Sequence, residues 1–324
     1  MSMFSPTPVL SVVVPHLGDD ASFETSLVSV LENRPRRCEV IVCHDGSYTD
    51  PFELGDEVQF VVCPQKDLPT QVLTAAHQAK GRIMHVLANG LQATEGWTEG
   101  PVDCFSDETV ASVSPAIQHA DQKALVALGW KQGSSSICSP VASGKKSATR
   151  HDRASVDGAY LNASFWRTDV LQSLERLPTL RQTKIAAAVW TSAAQAVGLR
   201  CHSEATSVVL ADRSAASRLV TVSSTTARHL QSVAAVIEGK SALRSGMFSW
   251  LANIHRVGNW GTAWGRTSAA WSDGSFQQRL RAELPEAFTA VRSAVADGNR
   301  PATLPLNRAQ PTAPASSAPL RRAA

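Results

Sequence analysis

Four short apolar runs, rich in β-branched residues, punctuate the first part of the chain, and they constrain the fold more than any other feature. They are Val9–Val14 (VLSVVV), Glu39–Cys43 (EVIVC), Val58–Cys63 (VQFVVC) and Ile83–Leu87 (IMHVL). Runs without polar alternation mark strands buried on both faces, and such strands need helices to cover them. The intervening segments supply helix signals. Asp19 and Asp20 offer N-cap chemistry ahead of Phe23, Leu27, Val30 and Leu31, which share one helical face. Pro69 suits the first turn of a helix carrying Val72, Leu73 and Ala76, and Gly81 stops it. This βαβα order predicts an α/β fold with a mostly parallel sheet flanked by helices.

The middle of the chain is less regular. Val110–Val113, Ala124–Trp130, Leu161–Trp166 and part of Cys201–Leu210 read as strands, and 131–150 reads as a polar surface loop. Two helices are expected after Trp166, the second carrying Ile185, Val189, Ala193, Ala196 and Val197 on one face, with Gly198 just past its end. From about Ser214 the pattern turns helical, with Leu230, Val233 and Ile237 in register and Gly239 as a stop. The chain therefore divides into an α/β part over 7–212, a mainly helical extension over 213–300 and a Pro- and Ala-rich disordered tail over 301–324.

Composition removes several function classes. The chain of 324 residues has 43% apolar and 18% charged residues, enough for a sizeable core. Its net charge of +3 comes from Arg308, Arg321 and Arg322 in the tail, so the body is balanced and carries no footprint for nucleic acid. Cys38, Cys43, Cys63, Cys104, Cys138 and Cys201 form no CxxC pair and follow no recurrent spacing, which argues against a zinc site or disulfide framework and for a reducing, cytoplasmic setting. No basic residue precedes the first apolar run, so no secretory signal is expected. No stretch reaches the about 20 apolar residues of a membrane span, so no integral membrane segment is expected, although peripheral association stays open.

LSVVVP followed by a helix, then EVIVCHDGSYTD, then a helix and GRIMHVLANG, resembles the family 2 glycosyltransferases of the GT-A fold. That family writes these segments close to SVVIP, EIIVVDDGSTD and GEYIxFLDxDD. The likeness spans about residues 9–100, with a fainter echo from Asp157 to Gly198. It implies a GT-A-like nucleotide-sugar-binding domain over 7–212, and transfer of a sugar from a nucleotide diphosphate sugar to an unknown acceptor. By resemblance, Asp45 contacts the uracil or ribose, Gly46 and Ser47 shape the turn that presents it, and Pro15 and His16 open the same pocket. A carboxylate at the C-terminal end of a parallel strand lies where open α/β sheets bind ligands.

Two family motifs are altered. The DxD acids, which hold Mg²⁺ or Mn²⁺ against the donor phosphates, fall on Ala88, Asn89 and Gly90. A neutral amide does not replace two anions, so the divalent cation expected of the family is doubtful here. The acidic pair whose Asp deprotonates the acceptor falls near Ile185 and Ala186, and no acid lies between Glu175 and Glu204. Asp157 is the substitute base that the resemblance leaves. Three readings follow: a transferase of the usual kind, a metal-independent one in which Lys or Arg supplies the charge, and a catalytically inactive relative that binds nucleotide or acts as a scaffold. Two further segments lie outside the motifs. WGTAWGRTSAAW (260–271) is expected to pack on the main domain, with an acceptor-stacking platform as the alternative. GKKSATRHDR (144–153) is expected to be a solvated loop, with a grip on the diphosphate as the alternative.

Overall fold

The computed structural model describes residues 8–122, 124–132, 138–146, 154–176, 180–238, 247, 251 and 260–298. The expected tail over 301–324, the stop at Gly239 and parts of the loops at 131–150 and 144–153 lie outside them.

The four apolar runs become β1 (Leu10–Pro15), β2 (Cys38–His44), β3 (Gln59–Val62) and β4 (Ile83–Leu87), paired in the order β3-β2-β1-β4 and all parallel. β1 is buried along its whole length, as its lack of polar alternation requires. α1 (Asp20–Glu32) starts at Asp19, whose side chain accepts from the Ser22 amide, and it buries Phe23, Leu27 and Val30. α2 (Leu68–Gln78) starts at Asp67, which accepts from the Thr70 amide, and it buries Val72, Ala75 and Ala76.

The later part of the sheet is mixed. Its elements are β5 (Leu91–Ala93), α3 (Glu99–Cys104), β6 (Val110–His119), β7 (Leu125–Ala127), β8 (Trp130–Lys131), β9 (Ser139–Pro140), β10 (Ala154–Val156), β11 (Ala163–Arg167), α4 (Thr168–Ser173), α5 (Thr183–Ala196) and β12 (Arg200–Ala211). β11 lies antiparallel between β4 and β6, and β12 runs parallel to β6 and antiparallel to β10 and β5. The parallel expectation thus holds for the four N-terminal strands, while the antiparallel members come from the stretch where periodicity was weakest. β12 is also longer than its sequence signal, because irregularities at Arg200/Cys201 and Glu204/Val208 let it bend and continue. His85 faces the core, fully buried between Trp97 and Phe165, and burial pushes its imidazole well below the usual range.

The C-terminal helices are α6 (Arg213–Val220), α7 (Ser224–Glu238), α8 (Trp260–Ser272) and α9 (Gly274–Gly298). α9 packs on α4, α5 and α7, and its Leu280, Leu284, Ala287 and Val291 join the same apolar core as the sheet. The start of α9 is fixed by Asp273, whose buried carboxylate accepts from Ser232 Oγ at 2.7 Å and pairs with Arg228 at 3.1 Å.

At the opposite end of the sheet from the strand exits, Glu39 Oε1 accepts from Ser11 Oγ at 2.5 Å, the Lys80 amide at 2.6 Å and the Gly81 amide at 3.2 Å. Gly81 is required there because a β-carbon would stand 2.6 Å from the Ser11 backbone nitrogen. Gly81→Ala should therefore lower stability by about 1–3 kcal/mol through overpacking, read as a shift of the urea midpoint. A midpoint equal to wild type would show that β1 and β4 do not depend on this approach.

Candidate functional site

Because β1, β2 and β4 are parallel, their C-terminal ends emerge side by side. The sequence-predicted residues Pro15, His16, Asp45, Gly46 and Ser47 come together at the ends of β1 and β2. His16 prolongs the pairing, its amide donating to the Cys43 carbonyl at 2.7 Å. The DGS turn closes through Asp45 Oδ1, which accepts from the Ser47 amide at 3.0 Å and Ser47 Oγ at 2.5 Å, while Gly46 takes φ +91°. Asp45 Oδ2 pairs with Lys66 Nζ at 2.8 Å. Lys66 first, then Ser47, hold the Asp45 carboxyl well below the usual carboxylate range.

Tyr48, the next residue of the turn, points inward. Its ring lies 4.9 Å from Phe23, 5.2 Å from His16 and 6.5 Å from Phe60, and burial pushes its phenol up to about 12. His16 Nε2 meets Asp20 Oδ1 at 2.6 Å. Among the described residues, His16 Nδ1 and Tyr48 Oη are buried without a hydrogen-bond partner.

A cavity of about 780 Å³ opens over the ends of β1 and β4. Its lining includes Leu17 and Asp19 after β1, Ala88 and Asn89 after β4, Asn162 before β11, Arg181 to Lys184 at the start of α5, and Ser217, Arg218 and Thr221 around the end of α6. Asp45 is not part of this lining. Ala88 and Asn89, two of the three positions matching DxD, therefore line the cavity. Ala88 is buried, and its amide donates to the Asn162 carbonyl at 2.9 Å. Asn89 is 6% exposed, its Nδ2 donates to the Asp19 carbonyl at 3.2 Å, and its Oδ1 has no partner among the described residues. Gly90 takes φ +81°, and a β-carbon there would run into the Asp212 carboxylate.

The residues present do not fit a divalent cation at this point. The Asn89 carbonyl already accepts from Arg218 Nη2 at 3.2 Å, placing a guanidinium at the motif. Asp212, the nearby acid, is committed to α6, its Oδ1 accepting from the Ala215 amide at 2.7 Å. No group of three or more His, Cys, Asp or Glu side chains suited to a metal occurs among the described residues. Sequence reasoning did not find Arg218, Arg181 or Lys184, since nothing local to α6 or α5 says that they face the end of β4. Lys184 Nζ donates to the Arg218 carbonyl at 3.0 Å and to the Thr221 carbonyl, so it caps the end of α6 and holds Arg218 in place. Burial lowers its ammonium from the usual value.

The acceptor-side positions differ as well. Ile185 and Ala186 are buried in α5, and Thr183 and Lys184 are the members of its first turn that line the cavity. Asp157 sits in a turn against β8, where its Oδ2 accepts from the Gln132 amide at 2.6 Å and its carbonyl from Gln195 Nε2 at 3.1 Å. It is not part of the cavity lining; Asp19 is the carboxylate there. Both Asp19 oxygens are engaged by Ser22, at 3.3 Å to the amide and 2.6 Å to Oγ, and these bonds lower its pKa.

No protein-family model and no curated protein matches the sequence. The structure is similar to solved glycosyltransferases. GalNAc-T7 in complex with UDP, GalNAc and Mn²⁺ superimposes with a TM-score of 0.56 at 13% identity, over 90% of this chain and 57% of that one. This chain thus spans little more than half of the GalNAc-T7 chain. Residues 1–349 of Staphylococcus aureus TarS superimpose with a TM-score of 0.51 at 12% identity, over 89% of this chain and 90% of that one. The UDP complex of TarS gives 0.50 at 13% identity with the same coverage. At these identities the likeness is one of fold: an α/β chain with a central sheet, flanking helices and a helical C-terminal region, built as in the GT-A glycosyltransferases.

Proposed function

We propose that this chain is an outlying member of the family 2 glycosyltransferases that takes a nucleotide diphosphate sugar in the cavity over β4 and transfers its sugar without a divalent cation. The observation that carries this reading is the Arg218 guanidinium on the Asn89 backbone carbonyl, between Ala88 and Gly90, the two positions where the family pattern has its metal-binding carboxylates. A diphosphate carries charge that must be balanced during departure of the nucleotide. A guanidinium does so through fixed, charge-assisted hydrogen bonds. Arg181 lines the same cavity, while Lys184 keeps Arg218 positioned. The nucleoside end of the donor extends toward Pro15, His16 and the DGS turn, where Asp45 accepts from the base or ribose once Lys66 shifts aside. All six cysteines are free thiols, which suits work in a reducing cytoplasm.

The alternative is a relative that binds the donor without transferring the sugar. It is favoured by the state of Asp19, the carboxylate in the cavity lining, whose oxygens are occupied by Ser22 and whose lowered pKa makes it a weak base. Asp157 is the other candidate base for the acceptor. Donor turnover assayed beside binding separates the two readings. Sugar release or transfer that is lost in Asp19→Asn or Asp157→Asn identifies an enzyme and its base, and tight binding without turnover across acceptors identifies the silent relative.

Calorimetric titration with UDP, GDP and their sugars should give the same affinity in EDTA as in Mn²⁺, and Arg218→Ala should weaken binding by about tenfold or more. Binding that appears only with Mn²⁺ would overturn the metal-independent reading. Separately, Asp45→Asn should weaken uridine nucleotides by about fivefold through loss of a charge-assisted acceptor. Unchanged affinity in that variant would remove Asp45 from the site and leave the cavity over β4 to act alone.

A further inference from the structure

Two long helices begin in the wall of the cavity over β4. Gln182 and Thr183 at the start of α5 line it, as do Ser223, Thr225 and Thr226 at the start of α7. The first turn of a helix holds amides without intrahelical partners, equivalent to about half a positive charge. Gln182 caps α5 without a side-chain hydrogen bond. At α7, Ser223 Oγ accepts from the Thr226 amide at 3.1 Å, one of the amides that the first turn leaves open. Arg181, immediately ahead of α5, lines the same wall; it is exposed, and no carboxylate pairs with it among the described residues.

The negative groups of the cavity are already engaged. The end of α6 brings backbone carbonyls, and Lys184 Nζ donates to those of Arg218 and Thr221. Asp19 is the carboxylate of the lining, and Ser22 donates to both of its oxygens. Arg218 is held on the Asn89 backbone carbonyl, where the donor diphosphate belongs in the reading above. Arg181 and the two helix starts are therefore a second cationic group in the same cavity.

Asn89 gives an independent sign of an occupant. It is 6% exposed and lines the cavity, and its Oδ1 has no hydrogen-bond partner among the described residues. A buried amide oxygen left open calls for a hydroxyl or N–H donor and disfavours phosphate at its own position. The lining as a whole thus asks for hydroxyl groups as well as anionic charge. In the donor reading the sugar supplies the hydroxyl and the diphosphate meets Arg218, which leaves the α5–α7 wall for the acceptor. A phosphate monoester presents three acceptor oxygens and close to two charges. It matches a guanidinium and two helix starts better than a carboxylate, with two oxygens and one charge.

We propose that Arg181 and the N-terminal turns of α5 and α7 form a second anion subsite, and that the acceptor carries a phosphate monoester which docks there. The assignment of this anion to the acceptor rests on the donor reading above; the subsite itself does not.

The test titrates the full chain calorimetrically with glycerol 3-phosphate, alone and after saturation with UDP, with glycerol as the neutral control. Lysophosphatidic acid, which carries the same monoester on an acyl chain, distinguishes a lipid-borne phosphate from a soluble one. The expected result is binding of at least one monoester in both the absence and the presence of UDP, with no heat from glycerol. Arg181→Ala should weaken it by about tenfold. Thr225→Glu should do so as well, while the thermal midpoint stays at or above wild type, because an acid in the first turn suits the α7 dipole as it repels the ligand. UDP affinity in Thr225→Glu should change by less than about threefold, since the added charge is screened from a separate subsite. Absence of monoester binding to a protein that binds UDP, or binding unaffected by both substitutions, would overturn the proposal. Competition between monoester and UDP would also overturn it and assign Arg181 to the donor diphosphate. Failure of UDP to bind, with monoester binding still lost in Thr225→Glu, would overturn the donor reading and support the anion subsite.

Discussion

The Glu39 carboxylate gathers the entry ends of three parallel strands. It lies near the start of β2 and accepts from Ser11 on β1 and from the Lys80 and Gly81 amides that lead into β4. Charge-assisted bonds of this kind set register as well as stability. Strands aligned at one end and running in one direction must also finish together. Pro15, His44 and Leu87 consequently deliver their following loops to one edge of the sheet, where open α/β folds present a crevice. α1 reinforces this arrangement from the side: the Gly90 amide donates to Ser26 Oγ at 3.1 Å and the Ala93 amide to Ser29 Oγ at 3.0 Å. The buried serines of α1 thus hold the turn that follows β4.

The charge at that edge follows from how α6 is attached. The Asp212 amide donates to the Gly90 carbonyl at 3.0 Å, and the Asp212 side chain caps α6. The helix therefore starts beside the end of β4, and Arg218, near its C-terminal end, reaches back to Asn89. Lys184 from α5 closes the end of α6 on its carbonyls. Ala88 and Gly90, where the resemblance puts the two DxD acids, offer a buried methyl group and no side chain, and cations arrive from segments far away in sequence. A cavity lined by Arg181, Lys184 and Arg218 together with Asp19 carries more positive than negative fixed charge.

The helical region obeys a different constraint. α9 contributes Leu280, Leu284, Ala287 and Val291 to the main core, and Asp273 ties its first turn to Ser232 and Arg228 of α7. An ionised group held this far from water is sustained by its hydrogen bonds and its cationic partner together. With α7 and α9 fixed to the body, α8 rests on α7 by its glycine and alanine side and is left with its tryptophans outward. The burial of small residues, rather than of large ones, is what leaves those indoles at the surface.

Much of this was legible in the chain itself. β-branched runs between helix signals mark strands, so β1 to β4 and the helices between them follow from local pattern, as do the cap at Asp19 and the closed turn at Asp45, Gly46 and Ser47. Burial on both faces does not hold for β3, which ends the sheet and leaves Val62 62% exposed. That Ala88 and Gly90 carry no acid where the resemblance puts the DxD motif was equally visible, because a motif position needs only a sequence count. Tertiary structure alone decided that Arg218, more than a hundred residues later, stands on Asn89, that Lys66 holds Asp45, and that the indoles of α8 face outward. Those are contacts between segments whose own sequences are compatible with many neighbours. Secondary structure arises from interactions a few residues apart, whereas the sign of the charge in a cavity depends on which distant helix end the packing brings to it.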